Sequence, residues 1–473
     1  MCPVAFVALL ATTGCVHAPI NQRLNAYDEK SGYRISNTPA VSGNTDDVFV
    51  ILAFSGGGTR ASAFSYGAME KLGETLIRWG GRERPLLDEV DIISSVSGGS
   101  FTAAYYGLHR GEEEFAKFPE NFLYKRVTRA LAWRLLNPYN WWRLASPNFD
   151  RIDMAAEYYD NHVFGHKTFG DLAAKNARPF IVLNATDMSY SSRFEFTQDQ
   201  FDFLSSDLSS YPVARGVAAS SAFPILLSPL TLANYPGFPE QEWMRTALKD
   251  RDNNPRDHAY ASVMRSYLDT AQRPFIHLLD GGLSDNVGLR GPAYALFSSK
   301  NAWSKKTWTM TNLINARKIK YLVVITVNAK TSGAPAWDQK RSAPGVSGVL
   351  STVTTGPMGN YSDETVQFVR DQLEALRQDL DNGDEIDRLG GRPVTPRREI
   401  KVYPIELAFQ NANDAGERSK LNQIATDFQI PKEDVDRLRA AARTMLDEST
   451  VFKKLLEDLA ADQSTPLGSD GKD

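Results

Sequence analysis

An uninterrupted apolar run, VFVILAF at residues 48–54, restricts the fold more than any other feature of the sequence. A strand that is apolar at every position needs cover on both of its faces, which is typical of a central strand in a parallel sheet. Glycines at 56–58 end the run, and a helical pattern follows, in which apolar residues recur every four positions from Phe64 to Leu76. We therefore expect a strand–turn–helix unit with a fully buried strand.

The same alternation of strand and helix continues along the chain and predicts the fold class. Further strand candidates lie at residues 90–96, 180–183, 275–279, 321–327 and 400–407, and helical patterns lie at 364–380 and 432–446. Alternation of this kind predicts an α/β protein with a mostly parallel central sheet and helices on both faces. Loops or insertions are expected at 233–274, 331–362 and 381–398. All of these segments are assigned to one domain, residues 46–460.

Charge and cysteine content exclude several classes of protein. The chain has 473 residues, with 53 Lys and Arg against 57 Asp and Glu, so the formal net charge is −4. That balance disfavours a globally basic nucleic-acid-binding protein. Cys2 and Cys15 are the two cysteines, which excludes a disulfide scaffold, a cysteine-based zinc site and a buried thiol nucleophile. No metal cluster is apparent in the sequence, and no cofactor is expected.

The N-terminal segment predicts export. Residues 2–16 are uncharged and largely apolar, and they are fewer than the roughly 20 residues needed to cross a bilayer. The small residues before Cys15 resemble the lipobox of bacterial lipoproteins, in which the cysteine is lipidated. We therefore expect a signal peptide at 1–15, a tether at 16–45, a polar tail at 461–473 and attachment to the bacterial cell envelope, on the outer-membrane or periplasmic side. The alternative is a cytoplasmic N-terminus with an accidental apolar stretch.

Three glycine-containing turns carry the candidate chemistry, and the first is SGGGTRA at residues 55–61. It satisfies the pattern G-x-G-x-x-A, a variant of the dinucleotide-binding fingerprint. Gly56, Gly57 and Gly58 allow backbone N–H groups to point outward at a helix N-terminus, where the helix dipole favours an anion. A pyrophosphate and a transient oxyanion both fit this requirement, and the turn alone leaves the two open.

The second turn, SVSGG at residues 95–99, places Ser97 between a strand and a helix. A nucleophilic serine on such a sharp turn needs small residues two positions before and after it, and Ser95 and Gly99 meet that requirement. Gly98 supplies a further backbone N–H at the start of the helix. The alternative is an ordinary glycine-rich turn without a catalytic role.

The third turn is Asp280-Gly281-Gly282, which follows the apolar strand at 275–279. Catalytic groups of open α/β sheets gather at the carboxyl ends of the strands, which makes Asp280 a candidate. As an isolated tripeptide, Asp-Gly-Gly is also an ordinary turn.

A serine nucleophile needs a base that accepts its proton, and the positions of the histidines disfavour a Ser-Asp-His triad. A hydrolase of that type places its histidine after the acid, yet no histidine follows His277. His277 itself lies within a strand pattern, and His258, in a polar insertion, is a weaker candidate. A serine–aspartate dyad, Ser97 with Asp280, is therefore the better interpretation.

Taken in order, the three turns resemble the patatin-like phospholipase family, which combines a glycine-rich oxyanion loop, a serine elbow and an Asp-Gly-Gly or Asp-Gly-Ala motif. The stretch ASSAFP at residues 219–224 and the pair Asp285-Asn286 also resemble that family. The resemblance covers residues 46–330. It implies a patatin-like three-layer fold, with a mostly parallel central sheet between two layers of helices.

The resemblance also implies a phospholipase or lipid acyl hydrolase that cleaves carboxylic esters through an acyl-enzyme. Ser97 would be the nucleophile and Asp280 the proton acceptor, while the N–H groups of Gly57 and Gly58 would hold the oxyanion. Arg60 would orient the loop or neutralise a substrate phosphate, or would be a surface arginine at a helix start. The alternatives are an acyltransferase with the same dyad, a dinucleotide-binding oxidoreductase that uses only the first turn, and a catalytically silent envelope lipoprotein.

A segment at residues 115–149 combines six Lys and Arg residues and a single acid with many aromatic residues. Val127, Leu131 and Leu135 repeat every four residues, so part of the segment is predicted to be an amphipathic helix that ends at Pro138. Such a helix can lie on an anionic bilayer and lead lipid to an active site. The alternative is a helix that packs on the sheet with a solvated basic face. The expected partners are a lipid substrate and a membrane surface, with no nucleic acid.

Overall fold

The apolar run at 48–54 forms a central strand of a mixed sheet. The computed structural model describes residues 19–38, 47–79, 82–224, 226–297, 319–332, 341–389 and 400–464. The strands are Gln22–Arg23 (β1), Val48–Phe54 (β2), Leu76–Trp79 (β3), Arg82–Pro85 (β4), Val90–Val96 (β5), Phe180–Asp187 (β6), Ser192–Glu195 (β7), Ser206–Asp207 (β8), Leu230–Ala233 (β9), Phe275–Asp280 (β10), Tyr321–Asn328 (β11) and Lys401–Ala408 (β12).

Helices separate most of these strands. They are Gly58–Glu74 (α1), Gly98–His109 (α2), Val127–Leu136 (α3), Pro138–Leu144 (α4), Arg151–Tyr159 (α5), Phe169–Ala174 (α6), Gln198–Asp202 (α7), Val213–Ser220 (α8), Glu242–Lys249 (α9), Pro255–Tyr267 (α10), Gly282–Asp285 (α11), Arg290–Phe297 (α12), Val346–Leu389 (α13), Ala415–Gln423 (α14), Lys432–Glu448 (α15) and Thr450–Ser464 (α16). Every strand predicted from the sequence is present.

One half of the main sheet is parallel, in the order β12-β11-β2-β5-β6. All residues of β2, β5, β6 and β11 are buried, because the sheet is covered on both faces. This position explains why VFVILAF has no polar residue. The predicted α/β class with a mostly parallel central sheet is confirmed.

The other half of the sheet is antiparallel. β10 runs antiparallel to β6, and β9 runs antiparallel to β10. Val96, the last residue of β5, pairs with Asn184, so β6 extends past β5 by residues 185–187. β7 and β10 both pair with this protruding end, from opposite sides of β6.

The C-terminal part of the described chain is built into the same sheet and helical layers. It adds β12 to the sheet edge and packs α15 on α1. The approach of these two helices is close, because a Cβ atom at Gly67 would overlap the backbone of Arg439. The Arg439 guanidinium also pairs with the Glu70 carboxylate at 2.6 Å.

The described part of the predicted tether, residues 19–38, packs on the domain and is not a free linker. β1 pairs with β8, and the buried Tyr33 hydroxyl accepts a hydrogen bond from the backbone of β6 at 2.8 Å. Arg34 pairs with Asp199 and Asp202, at 2.7 Å in each case. The segment is polar, which suggested solvation, but several of its polar groups have partners within the protein.

Helices occupy parts of the segments that were predicted as loops. α9 and α10 lie within 233–274, while α13 starts within 331–362 and continues into 381–398. Pro357 lies inside α13 and follows a glycine. Such weak helix formers hide a helix from sequence patterns when tertiary packing stabilises it.

Some predictions concern residues outside the ranges that the structure describes. The predicted signal peptide at 1–15, with Cys15, and most of the predicted polar tail at 461–473 lie outside the described residues. Within the described ranges, none of the helices combines the length and apolar character that a membrane crossing requires.

Candidate active site

Ser97 lies on a sharp turn between β5 and α2, with φ 48° and ψ −118°, a conformation that L-residues rarely adopt. The turn is closely packed on its neighbours. A Cβ atom at Gly99 would lie 2.7 Å from the Cβ of Phe54, and one at Gly98 would overlap the carbonyl oxygen of Gly58. Glycine is therefore needed at both positions, and the packing fixes the direction of the serine side chain.

Asp280 reaches Ser97 from an antiparallel strand. The sequence placed it at the carboxyl edge of a parallel sheet, but β10 runs opposite to β5 and β6. Asp280 pairs with Ala185 of β6. The preceding residue of β6, Asn184, pairs with Val96, the last residue of β5. β10 therefore begins beyond the C-terminal end of β5, runs back towards it and ends beside the serine turn. There the Ser97 hydroxyl interacts with the Asp280 carboxylate and lowers its pKa.

Burial makes Asp280 a stronger base than a free aspartate. The residue is 3% exposed, and the loss of solvation raises the pKa of Asp280 from 3.8 to about 6. Two interactions of the carboxylate oppose this rise, the hydrogen bond from the Gly282 N–H at 2.8 Å and the interaction with the Ser97 hydroxyl. The carboxylate is therefore ionised near neutral pH and can still accept the proton of Ser97.

The glycine-rich loop presents two backbone amides beside the serine turn. Gly57 and Gly58 have positive φ angles of 138° and 58°, and they precede or begin α1. The next amide, that of Thr59, donates to the Asp427 carbonyl at 2.8 Å. Across the part of the chain that the structure describes, the N–H groups of Gly57 and Gly58 have no bonded acceptor. They are available to an anion at the helix N-terminus.

Asn286 joins the glycine-rich loop to the Asp-Gly-Gly turn. Its carbonyl accepts a hydrogen bond from the Gly56 N–H at 2.9 Å, so the amide of Gly56 is already used within the protein. A Cβ atom at Gly56 would lie 2.6 Å from the Asn286 Oδ1, and one at Gly282 would lie 2.8 Å from the same atom. A Cβ at Gly282 would also overlap the Met358 methyl group of α13. The site is thus covered by α13.

Arg60 lies behind the glycine-rich loop and is 5% exposed. Its guanidinium donates hydrogen bonds to the carbonyls of Ala329, at 3.0 Å, and Ile424, at 2.7 Å. Burial lowers the pKa of Arg60 to about 10, so the group is cationic at neutral pH. The guanidinium is directed into the protein, where it ties the loop to two other segments.

Ser220 connects the two catalytic turns and was not predicted as a site residue. Its hydroxyl accepts a hydrogen bond from the Ser97 N–H at 2.9 Å and donates to the Asn184 carbonyl at 2.6 Å. Its own carbonyl accepts from the Gly281 N–H at 3.1 Å. Ser220 therefore fixes the position of one turn relative to the other. Its sequence signal was the stretch at 219–224, from which a resemblance was recognised but no role.

The histidine candidates lie elsewhere. His277 is on the same strand as Asp280, but the odd spacing of three residues places it on the opposite face of the sheet. Its ring shares a hydrogen bond with the Thr231 hydroxyl of β9 at 3.0 Å. His258 lies in α10. The side chain that interacts with the Ser97 hydroxyl is the carboxylate of Asp280 and not an imidazole.

A cavity of about 1090 Å³ lies beside the Asp-Gly-Gly turn. It is bounded by parts of α10, α11, α12 and α13, and its lining includes Leu283 and Ser284 of α11. The other lining side chains are apolar, aromatic and charged, among them Phe368, Arg290 and Asp257. Such a mixed lining suits an amphiphilic ligand. Among the described residues, no group of His, Cys, Asp and Glu side chains is arranged to hold a metal ion.

Comparisons with known proteins identify the family. No curated protein matches the chain significantly. Similar solved structures include human GIVD cytosolic phospholipase A2, with a TM-score of 0.42 and 15% identity over 89% of this chain and 63% of that chain. VipD from Legionella pneumophila aligns with a TM-score of 0.34 and 11% identity, over 95% and 73% of the two chains. This chain thus spans about three fifths of the human phospholipase chain.

A family model matches the sequence of the chain itself. A model described as patatin-like phospholipase matches residues 52–292, just over half of the chain. The matched region contains the serine turn and the Asp-Gly-Gly turn, together with the glycine-rich loop. The chain belongs to the patatin-like phospholipase family.

Proposed function

We propose that the protein is a lipid acyl hydrolase of the phospholipase type, which cleaves carboxylic esters through an acyl-enzyme on Ser97. The observation that carries this proposal is the interaction of the Ser97 hydroxyl, at the tip of the serine turn, with the buried Asp280 carboxylate. The serine is held on a positive-φ turn, and the pKa of its partner is about 6. Membership of the patatin-like phospholipase family supports the same activity.

In the first half-reaction, the Ser97 Oγ attacks the ester carbonyl carbon while the Asp280 carboxylate takes the hydroxyl proton. The carbonyl oxygen becomes negatively charged and binds to the N–H groups of Gly57 and Gly58, each of which contributes about 3 kcal/mol. Collapse of the tetrahedral intermediate breaks the bond to the alcohol, which leaves with the proton from Asp280. The products are the free alcohol and an acyl ester of Ser97.

In the second half-reaction, a water molecule gives a proton to Asp280 as its oxygen attacks the acyl carbonyl. The new intermediate collapses, Ser97 recovers the proton and the fatty acid leaves. An alcohol in place of water would make the protein an acyltransferase with the same dyad, and product analysis in the presence of glycerol separates the two reactions. A dinucleotide-binding oxidoreductase is not retained, because the chain belongs to the patatin-like phospholipase family.

We infer that the substrates are phospholipids or related lipid esters taken from a membrane surface. The cavity of about 1090 Å³ beside the Asp-Gly-Gly turn has room for part of such a molecule. We also propose that Cys15 carries a lipid anchor and that the protein is attached to the bacterial envelope, on the outer-membrane or periplasmic side. Incorporation of labelled palmitate that Cys15→Ser abolishes would test the anchor.

Labelling with an alkyl fluorophosphonate tests the nucleophile. The reagent phosphonylates an activated serine hydroxyl with loss of fluoride, so the wild-type protein is expected to gain one adduct, at Ser97. Ser97→Ala is expected to gain none, and Asp280→Asn to fold but to lose about 10³-fold or more of ester hydrolysis. Ser95→Ala, which removes a nearby buried hydroxyl, is the matched control. Full hydrolytic activity in Ser97→Ala or in Asp280→Asn would refute the dyad.

A further inference from the structure

The junction of α3 and α4 exposes large apolar side chains to solvent. We call residues 133–142 the aromatic elbow. Six of its side chains are between 36% and 83% exposed: Trp133, Leu135, Leu136, Tyr139, Trp141 and Trp142. Sixteen large hydrophobic residues are exposed in the described part of the chain, and six of them fall within these ten positions. Exposed apolar residues that are scattered singly need no explanation, but a contiguous patch indicates a binding surface.

The residues that precede the aromatic elbow do belong to the core. Phe118 and Phe122 are fully buried and stack with a distance of 5.5 Å between ring centroids. Val127 is buried as well, whereas Leu135, in the same four-residue repeat, is 36% exposed. The apolar repeat thus leaves the protein surface towards its C-terminal end, and packing within the fold does not account for the residues of the aromatic elbow.

Hydrogen bonds hold the aromatic elbow in one conformation. The Asn137 side chain caps α4 by accepting from the Tyr139 N–H at 3.0 Å. The Asn140 side chain donates to the Arg134 carbonyl at 2.7 Å, and the Trp141 indole N–H donates to the Leu135 carbonyl at 2.7 Å. The exposed rings are therefore presented by a preorganised turn, so their binding to a partner costs little ordering entropy.

Basic side chains precede the exposed rings along the chain, and one of them shares a helix face with Trp133. Arg129, Trp133 and Leu136 follow one another at spacings of four and three residues, which places them on one face of α3. Lys125, Arg126 and Arg129 are exposed, and in the described segments none of them forms an ion pair with a carboxylate. These three cations are free to attract an anionic partner.

The other three basic residues of the segment 115–149 have partners within the protein. Lys117 forms an ion pair with the Glu114 carboxylate at 2.8 Å. Arg134 lies over the Tyr158 ring, 5.3 Å from its centroid. Arg143 forms an ion pair with the Glu157 carboxylate. Charge that is available to a partner is thus concentrated at the N-terminal end of α3, next to the aromatic elbow.

The aromatic elbow is also joined to the active-site loop. Thr128, in the first turn of α3, donates a hydrogen bond to the Asp427 carboxylate. The carbonyl of the same aspartate accepts the Thr59 N–H, and Gly58 packs against it. Trp133, the first residue of the aromatic elbow, follows Thr128 by five residues, so the aromatic elbow begins about 7.5 Å along the helix from this contact. A surface that holds the aromatic elbow therefore lies close to the amides of the glycine-rich loop.

We propose that the aromatic elbow, together with Lys125, Arg126 and Arg129, docks this protein on an anionic phospholipid bilayer. Trp and Tyr rings favour the boundary between headgroups and acyl chains, because each combines an apolar body with one polar atom. Lys and Arg side chains are attracted to a negatively charged membrane surface. The purpose of docking rests on the proposed hydrolase function, but docking itself requires no catalysis.

Vesicle co-sedimentation tests the proposal on the full chain with Cys15→Ser, which removes the predicted anchor. The apparent affinity is expected to be at least about tenfold higher for phosphatidylcholine vesicles that contain phosphatidylglycerol than for phosphatidylcholine alone, and to fall with salt. Trp133→Ser with Trp142→Ser is expected to weaken binding to both kinds of vesicle by about tenfold or more. Leu76→Ser, which changes an exposed apolar side chain elsewhere, is expected to bind like the parent protein.

Charge reversal separates the electrostatic contribution. The triple variant Lys125→Glu, Arg126→Glu and Arg129→Glu is expected to lose the preference for phosphatidylglycerol. The double variant Lys249→Glu and Arg251→Glu, at exposed positions outside this surface, is the control and is expected to keep it. All variants are expected to hydrolyse a water-soluble short-chain ester like the parent protein. If the parent itself does not hydrolyse the ester, the proposed function fails, and the sedimentation data still decide docking.

A fluorophore at a single position locates the contact. The chain has two cysteines, so Cys2→Ser and Cys15→Ser leave a background in which Trp142→Cys carries the only thiol. An environment-sensitive label there is expected to shift to the blue when phosphatidylglycerol vesicles are added, whereas the same label at Tyr190→Cys is expected not to shift. Unchanged emission at position 142, parental vesicle binding of the tryptophan variant, or a dimer that the tryptophan variant dissociates would overturn the proposal.

Discussion

The burial that raises the pKa of Asp280 to about 6 also lowers the stability of the folded protein near neutral pH. Between the ordinary pKa of 3.8 and the folded value, the folded protein holds a proton that the unfolded chain has released. The free energy of unfolding therefore falls as the pH rises from about 4 to about 6, and it stays lower above that range. At about 1.4 kcal/mol per pKa unit, the loss approaches about 3 kcal/mol.

Asp280→Asn removes this cost while it keeps the shape of the side chain. We expect the variant to be more stable than the wild-type protein by about 1–3 kcal/mol at pH 8, and equally stable at pH 4. Urea denaturation at the two pH values measures the difference. A variant less stable than the wild type at pH 8 would show that the ionised carboxylate is well solvated by its partners.

The same pKa predicts the pH dependence of catalysis. Asp280 must be ionised to accept the Ser97 proton, so kcat/KM is expected to rise with pH through a midpoint near 6. A short-chain ester that does not titrate in this range is the appropriate substrate, assayed at constant ionic strength. A profile that is flat between about pH 4.5 and 8 would contradict the assignment of the base.

The backbone of Ser97 is strained, and the effect of this strain on stability can be measured separately from the catalytic role of the side chain. A positive-φ conformation outside the favoured regions costs on the order of 1–3 kcal/mol for a residue with a Cβ atom, and glycine avoids most of that cost. Ser97→Gly is therefore expected to be about 1 kcal/mol more stable than Ser97→Ala, with both variants inactive. Thermal and urea denaturation measure the order, and equal stabilities would mean that the turn is relaxed.

At the scale of single residues, the sequence predicts the reacting groups better than the groups that hold them. Ser97 and Asp280 stand in short local patterns that can be read along the chain. Ser220, Asn286 and Asp427 act through hydrogen bonds and contacts with segments far away in the sequence, and local patterns contain no information about such pairings. The predicted glycine-rich loop is an intermediate case. Its glycines can be recognised in the sequence, but only the structure shows that Asn286 and Asp427 accept hydrogen bonds from neighbouring amides of the loop and leave those of Gly57 and Gly58 available.

Among the structural elements, the segment around Asp427 lies outside the family match and yet contacts the active-site loop. Its side chain bonds to Thr128 and its carbonyl to the Thr59 N–H, while the nearby Ile424 carbonyl holds Arg60. This segment therefore joins α3, the glycine-rich loop and the C-terminal helices.

We expect Asp427→Ala to lower kcat by about tenfold with little change in KM, because misplaced oxyanion amides affect mainly the transition state. Asp427→Asn keeps an oxygen acceptor for Thr128 and is expected to retain most of the activity. Steady-state kinetics on a soluble ester distinguish these outcomes. A parallel loss in both variants, or a change in KM alone, would argue against a positioning role.

At the scale of elements, the apolar run at 275–279 predicts a strand but not its direction. β10 is antiparallel, because direction depends on the connection through α10, which lies in a segment that sequence patterns read as a loop. The parallel strands are easier to predict, since continuous apolar runs are typical of them. The helical pattern at 364–380 predicted the middle of α13, but Pro357 and its glycine neighbours hid its N-terminal part, whose packing over the Asp-Gly-Gly turn is visible only in three dimensions.

For the molecule as a whole, the contact between α1 and α15 couples the C-terminal part to the catalytic half. Gly67→Ala is expected to lower the free energy of unfolding by about 1–3 kcal/mol, because the methyl group has no space beside the backbone of Arg439. Gly73→Ala in the same helix is the control. A Cβ there would meet Leu87 at 3.6 Å, and alanine is expected to leave stability unchanged or raise it by up to about 1 kcal/mol.

Urea denaturation and limited proteolysis measure this coupling. If the C-terminal part is an integral layer of the domain, Gly67→Ala releases it to protease at lower urea concentration than the wild type, while Gly73→Ala does not. Indistinguishable curves for the two variants would mean that α15 can shift on α1 without cost. The sequence predicted a single domain over this region, but not which helices make the contact.

The antiparallel course of β10 restricts how this protein can change in length during evolution. Insertions in the loop before Phe275 leave the pairing of β10 with β6 intact. Loss of one residue from 276–279, by contrast, would turn Asp280 to the face of the sheet on which His277 now lies. Insertions and deletions among descendants of this chain should therefore accumulate around β10 and spare its interior. Within the strand, only the gain or loss of two residues at a time keeps the Asp280 carboxylate facing Ser97.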